Sequence, residues 1–229
     1  MSYNRYNRYD PDYYWKADEK KIKKDFMNYA NKEKKIDEKG FEKMGKTLGI
    51  DIYSDIFITY FVFKCGADNS EFITEDQYMN GLKNLKCNTL EEVKKKITNI
   101  RGKLLEIHEE DFRKFYDFLF VLNVQGGNDK ANLAKKSIDF DCVEIYFKQL
   151  FVNQFKFVAE FLDFLKEKKV GLKWDEWSTF LDFIKDKGAT FPKDFDYGTG
   201  YYPSLIDRFY EWYCKKHGLK LPEEEEEYF

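Results

Sequence analysis

Apolar residues recur along most of this chain at steps of three and four, the spacing that lines one face of an α-helix. The clearest stripe is Leu90, Val93, Ile97, Ile100 and Leu104. Thr74 with Gln77 and Thr89 with Glu92 carry the capping-box spacing of helix starts. Residues 15–35 are lysine-rich with Ile22, Phe26, Met27 and Tyr29 as apolar points, and read as a helix with a solvated charged face. A breaker follows at 37–40, then a short helix through Phe41, Met44 and Leu48 ends at Gly49. Residues 53–64 hold Ile56, Phe57, Ile58, Tyr60, Phe61, Val62 and Phe63. Their β-propensity suggests a strand, but the run is long and flanked by helices, so a buried helix is expected.

Further helices are expected over 111–120, from about 138 to 151, and from about 154 to 168, with a polar loop at 125–129. Two acidic-aromatic segments close the pattern: WDEWSTFLDF from Trp174 and YYPSLIDRFYEW from Tyr201. Each reads as a helix start, with Asp175 and Asp207 in or near a first turn, where the helix dipole favours carboxylates. Residues 186–200 read as a Gly/Pro/Asp-rich linker and Pro203 as a first helical residue. The fold expected is all-α, a single helical domain of about ten helices spanning 15–220. Residues 1–14 are expected to form a disordered polar arm and 221–229, with Glu223 to Glu227, an acidic disordered tail.

Composition narrows the chemistry. Aromatic residues are 19% of the chain, so Phe and Tyr are expected to dominate the core. The net charge of −3 lacks the basic excess that phosphate binding needs, which argues against nucleic acid as a partner. No apolar run is long enough for a membrane span, and the polar opening Met1-Ser2-Tyr3 lacks a signal-peptide core or a myristoylated glycine. A protein of the cytoplasm, the nucleus or both is expected. Cys65, Cys87, Cys142 and Cys214 have no C-x-x-C spacing and read as reduced, mostly buried thiols. His108 and His217 have no partner at metal-ligand spacing.

Residues 65–78 have the outline of a helix–loop–helix calcium unit, with Phe72 and Ile73 where a paired loop places its short strand. In either register Ala67 or Gln77 stands where a ligand is needed, and Glu71 or Ser70 where glycine is needed. The expectation is EF-hand-like helix pairs without calcium ligands, with no metal and no cofactor. No G-x-S-x-G, P-loop or G-x-G-x-x-G occurs, and the Asp175-Glu176 pair is common to any acidic helix start, so no active site is expected. Recognition remains. Two surfaces qualify: an aromatic-lined groove from the helices between Phe41 and Phe72, and an acidic patch around Asp175 and Asp207. Ordinary core accounts for the first equally well, and solvated helix N-termini for the second.

The ordered pieces SEFITEDQYMNGL, DFRKFYDFLF, VEIYFKQLFVNQFKFVAEFLDFL, WDEWSTFLDF and YYPSLIDRFYEW resemble the potentiating-neddylation domain of the defective-in-cullin-neddylation family. The resemblance covers about residues 26–214. It implies an all-helical fold with EF-hand-like pairs that bind no calcium, and a non-catalytic co-E3 role. Such a scaffold holds the neddylation E2 enzyme and the cullin C-terminal domain together, with the cullin RING subunit as a further partner. Carried over by position, an E2 pocket for an N-acetylated methionine would be lined by Phe41, Phe57, Tyr60, Phe61, Phe72, Leu122 and Tyr146, with Asn69 and Ser70 at its mouth. The family's acidic cullin-binding patch would fall on Asp175, Tyr201 and Asp207, with Glu176 and Glu211 adding to the field. Ser70 replaces a family cysteine, and Tyr201 replaces a small residue. An adaptor of the same fold, binding another amphipathic or acetylated helix, is the alternative.

Overall fold

The computed structural model describes residues 14–67, 71–124 and 133–222, and the chain divides into two compact units, Met1–Lys103 and Leu104–Phe229. Ten helices and four two-residue strands lie among the described residues. Residues 1–13 of the expected arm, residues 223–229 of the expected tail and the whole of the expected polar loop at 125–129 fall outside them.

The first unit contains α1 (Glu19–Phe26), β1 (Lys35–Ile36), α2 (Glu38–Leu48), α3 (Ile56–Cys65), β2 (Ile73–Thr74), α4 (Glu75–Asn84) and α5 (Leu90–Leu104), which reaches its boundary. Strands β1 and β2 pair antiparallel, with Ile36 opposite Ile73. Both isoleucines are fully buried. Each strand leads directly into a helix, so the unit is a pair of helix–strand–helix modules joined at their loops. The capping box at Thr74 forms in full: Gln77 N–H donates to Thr74 Oγ1 at 3.3 Å, and Thr74 N–H donates to Gln77 Oε1 at 2.9 Å. At Thr89 the reciprocal arm shifts by one residue, because Glu92 accepts from the Asn88 N–H at 2.8 Å. The apolar 56–65 run is a buried helix.

Two local expectations are corrected. The helix expected over 15–35 stops at Phe26. The Asn31 side chain accepts from the backbone N–H groups of Glu33 and Lys35 and folds the chain into a tight loop, a local alternative that competes with helix. The segment 37–40 is not a breaker but the start of α2. Asp37 caps it by accepting from the Gly40 N–H at 3.1 Å. Gly40 is needed for packing, since a Cβ there would lie 2.6 Å from the Tyr29 carbonyl oxygen.

The second unit contains α6 (Glu110–Asn123), β3 (Ser137–Ile138), α7 (Phe140–Leu150), α8 (Phe157–Lys168), β4 (Leu172–Lys173), α9 (Trp174–Lys187) and α10 (Ser204–His217). Strands β3 and β4 pair antiparallel with Ile138 opposite Leu172, both buried, repeating the arrangement of the first unit. The core is aromatic. Tyr116 stacks on Trp177 at 4.3 Å, Phe147 on Phe180 at 4.6 Å and Phe161 on Phe180 at 4.5 Å. Tyr116 and Trp177 also exchange polar contacts: the phenol donates to the Trp177 carbonyl and the indole N–H to the Tyr116 carbonyl. The segment 188–203 is packed rather than a free linker, with Phe191 stacked on Phe209 and Phe195 buried against Tyr210. Pro203 sits at the N-cap, one residue before the first helical position. Cys65, Cys87 and Cys214 are buried free thiols and Cys142 is half-buried.

A single buried carboxylate ties three helices of the first unit. Asp25 of α1 accepts from the Tyr78 hydroxyl of α4 at 2.6 Å and from the Leu90 N–H opening α5 at 2.8 Å. Asp25→Ala strands both donors, and urea denaturation is expected to show a loss of about 3 kcal/mol. Tyr78→Phe keeps the Leu90 bond and is expected to cost about 1 kcal/mol. Equal stabilities for the two variants would contradict this arrangement.

Candidate functional site

The sequence-derived acidic residues all lie in the second unit. Asp175 is the second residue of α9 and is exposed. It stands immediately after β4, so the pairing of Leu172 with Ile138 fixes the place of the helix start that presents it. Beside it, Glu176 accepts from the Lys173 N–H at 2.9 Å and so serves the N-terminal turn. This capping arm defines the first turn and leaves Asp175 pointing its charge toward solvent. The dipole of α9 stabilises both carboxylates there.

Asp207 lies in the first turn of α10 and is half-buried. On the preceding turn Gly198 and Gly200 both take positive φ, 74° and 72°, a conformation that side-chain-bearing residues rarely adopt. Burial raises the Asp207 carboxyl above the usual aspartate range and Glu211 adds to the rise, while the nearby Gly198 amide works against it. Tyr201 sits on this same turn and is 73% exposed. Its neighbour Tyr202 is buried and donates its hydroxyl to Asp186 near the end of α9 at 2.7 Å. Tyr197 donates likewise to Glu211 at 2.7 Å.

The structure therefore groups Tyr201, Asp207 and Glu211 on one turn and the helix it opens into. It does not pair Asp175 with them through any hydrogen bond or ion pair among the described residues. Asp175 lies at the opposite end of α9 from Asp186, about 16 Å along the axis at 1.5 Å per residue. Sequence reasoning missed the two tyrosine contacts that hold the turn, from Tyr202 to Asp186 and from Tyr197 to Glu211. The G-x-G at Gly198 and Gly200 was the available signal, since paired glycines beside an aspartate mark a tight turn.

The residues expected to line a pocket are distributed over both units. Phe41 of α2 and Phe57, Tyr60 and Phe61 of α3 are buried in the first unit. Phe72 is half-buried, with the Lys35 ammonium 4.1 Å above its ring. Asn69 and Ser70 lie outside the described residues. Leu122 of α6 and Tyr146 of α7 belong to the second unit, where the Tyr146 oxygen accepts from Asn123 at 2.8 Å. An open crevice of about 400 Å³ in the first unit is lined by residues between Glu42 and Tyr53 and includes none of the expected pocket residues.

Comparison with known proteins bears on this arrangement directly. A family model described as cullin binding matches residues 92–212, more than half of the chain. The chain belongs to the cullin-binding family. The match includes α9, the first part of α10 and the segment between them, and so all three acidic-patch positions. Among its relatives are DCN1-like protein 5 of Bos taurus, 24% identical over 189 residues, covering 82% of this chain and 75% of that protein. DCN1-like protein 5 of Homo sapiens is also 24% identical, covering 82% of this chain and 74% of its own. DCN1-like protein 4 of Homo sapiens is 22% identical over 195 residues, covering 83% and 62% respectively. As a cullin-binding domain of the DCN1-like kind, the chain acts in cullin neddylation as a non-catalytic accessory. Among the described residues no helix is long and apolar enough to cross a membrane.

The raised Asp207 carboxyl has a pH consequence. Because the folded group holds its proton more tightly than the unfolded one, ionisation lowers stability as pH rises through the folded pKa. Asp207→Asn keeps the shape of the side chain and removes this penalty. At neutral pH its melting temperature is expected to match or exceed wild type, and the difference is expected to vanish in acid. A variant that is less stable at neutral pH than in acid, relative to wild type, would contradict the burial argument.

Proposed function

We propose that this cullin-binding domain is a scaffold-type co-E3 that docks the cullin C-terminal domain on Asp175, Tyr201 and Asp207. The observation that carries this reading is the state of the two aspartates. Both stand at helix N-terminal turns within the matched family region, and neither has a cationic partner among the described residues. Elsewhere in the same unit Asp182 is held by Arg113, and Asp186 and Asp196 by Lys187. Unneutralised carboxylates on positioned helix ends favour a basic protein surface and speed its encounter.

On the same reading the neddylation E2 binds through its N-acetylated methionine. Phe41, Phe57, Tyr60, Phe61 and Phe72 of the first unit are the residues this reading assigns to the apolar contact. The aromatic character of α3 supports this assignment, because a methionine side chain gains from contact with ring edges. An acetyl cap removes an ammonium that would otherwise be desolvated without a partner. The cullin RING subunit completes the assembly, in the cytoplasm, the nucleus or both. Catalytic residues are not required: holding the E2 near its acceptor lysine raises the effective concentration and limits orientation.

Two titrations test this. Asp175→Lys and Asp207→Lys are each expected to weaken binding of a cullin C-terminal domain at least tenfold, about 1.4 kcal/mol, without loss of helical circular dichroism. Unchanged affinity in both removes the assigned patch. Calorimetry with E2 N-terminal peptides is expected to give micromolar or better binding for the acetylated form alone. Equal binding by the free-amine peptide refutes the acetyl-methionine pocket.

A further inference from the structure

We propose that Tyr201 is an aromatic platform that receives a lysine or arginine side chain of the cullin, and so sets partner affinity alongside the aspartates. This inference rests on the cullin-docking reading of the acidic face. The family resemblance implies only a small residue at this position, so the role is a property of this chain's own side chain.

The first argument is exposure against the rest of the chain. Most large aromatics of the second unit are buried, yet Tyr201 is 73% exposed while the adjacent Tyr202 is 5% exposed. The second is rigidity. The Tyr201 ring meets Tyr202 edge-on, with centroids 4.8 Å apart and planes at 90°. Tyr202 is itself fixed by its bond to Asp186 and by stacking on Phe195. The Thr199 hydroxyl braces the turn beneath, donating to the Asp196 carbonyl at 3.1 Å and accepting from the Tyr201 N–H at 3.4 Å. An aromatic held in place before binding loses little freedom when a partner arrives.

The third argument is charge. The faces of an aromatic ring attract cations. This chain covers several of its own rings in that way: Lys35 lies over Phe72, Lys64 over Tyr60 and Lys216 over Trp212. Among the described residues no cation of the chain lies over Tyr201. The ring shares its turn with Asp207, and Glu211 follows one helical turn later. A basic side chain arriving here meets carboxylates and an open ring face together. A half-buried Asp207 with no cationic partner among the described residues gains more from such a cation than a fully solvated carboxylate does.

The test is a titration of the full chain with a cullin C-terminal domain, comparing wild type, Tyr201→Phe, Tyr201→Leu and Tyr201→Ala. Thermal melts confirm that each variant is folded, as expected for an exposed position. Tyr201→Phe is expected to bind as wild type. Tyr201→Leu and Tyr201→Ala are each expected to bind about three- to fivefold more weakly, the range of an exposed cation–π contact. Tighter binding by Tyr201→Ala would make the tyrosine a cover over the patch and overturn the proposal. Leucine matching phenylalanine would make it an ordinary apolar contact and overturn it equally. Asp207→Lys, run alongside, separates the two levels of the argument. If wild type binds and Asp207→Lys does not, but all Tyr201 variants bind alike, the platform fails and the docking face stands. If wild type does not bind the cullin, both fall.

Discussion

The pairing of two very short strands in each unit is the constraint from which the rest of the structure follows. Ile36 faces Ile73, and Ile138 faces Leu172, and all four side chains are buried. Two residues of ladder contribute little hydrogen bonding. What they contribute is position, because each buried aliphatic is followed within two residues by a helix start. A helix anchored at its first turn can vary in length at its far end without moving its N-terminus. Asp175, at one such N-terminus, inherits that fixed position.

The second unit adds an aromatic layer that determines how its acidic end is displayed. Phe161 stacks on Phe180 and meets Phe209 edge-on, and Phe191 and Phe195 bring the 188–203 segment down onto α10. Rings bury large areas while losing few side-chain degrees of freedom, so a segment with several of them is ordered without regular secondary structure. That is why a Gly- and Pro-containing stretch forms part of the packed unit. The polar tips then face outward, where the Tyr197 and Tyr202 hydroxyls each hold a carboxylate.

Much of this was readable from the chain, and the failures have specific causes. The helices over 56–65 and 90–104 follow from apolar density and clean periodicity, and the start at Thr74 from its capping chemistry. A two-residue strand has no period to detect, so only β2 left a trace, through its position in a broken calcium-loop outline. Asn31 redirected a charged segment by bonding to nearby backbone, which a helix propensity for lysine does not reveal. At the site, Asp175 and Asp207 were legible as acids at helix starts. The half-burial of Asp207 was not, because it depends on how the 188–203 segment packs onto α10.

Helix α9 carries Asp175 at one end and Asp186, the anchor for Tyr202, at the other. Inserting a single residue between them would rotate everything beyond it by about 100°. The residue spacing of α9 therefore sets the direction in which Asp186 meets the Tyr202 hydroxyl, relative to the helix start that presents Asp175.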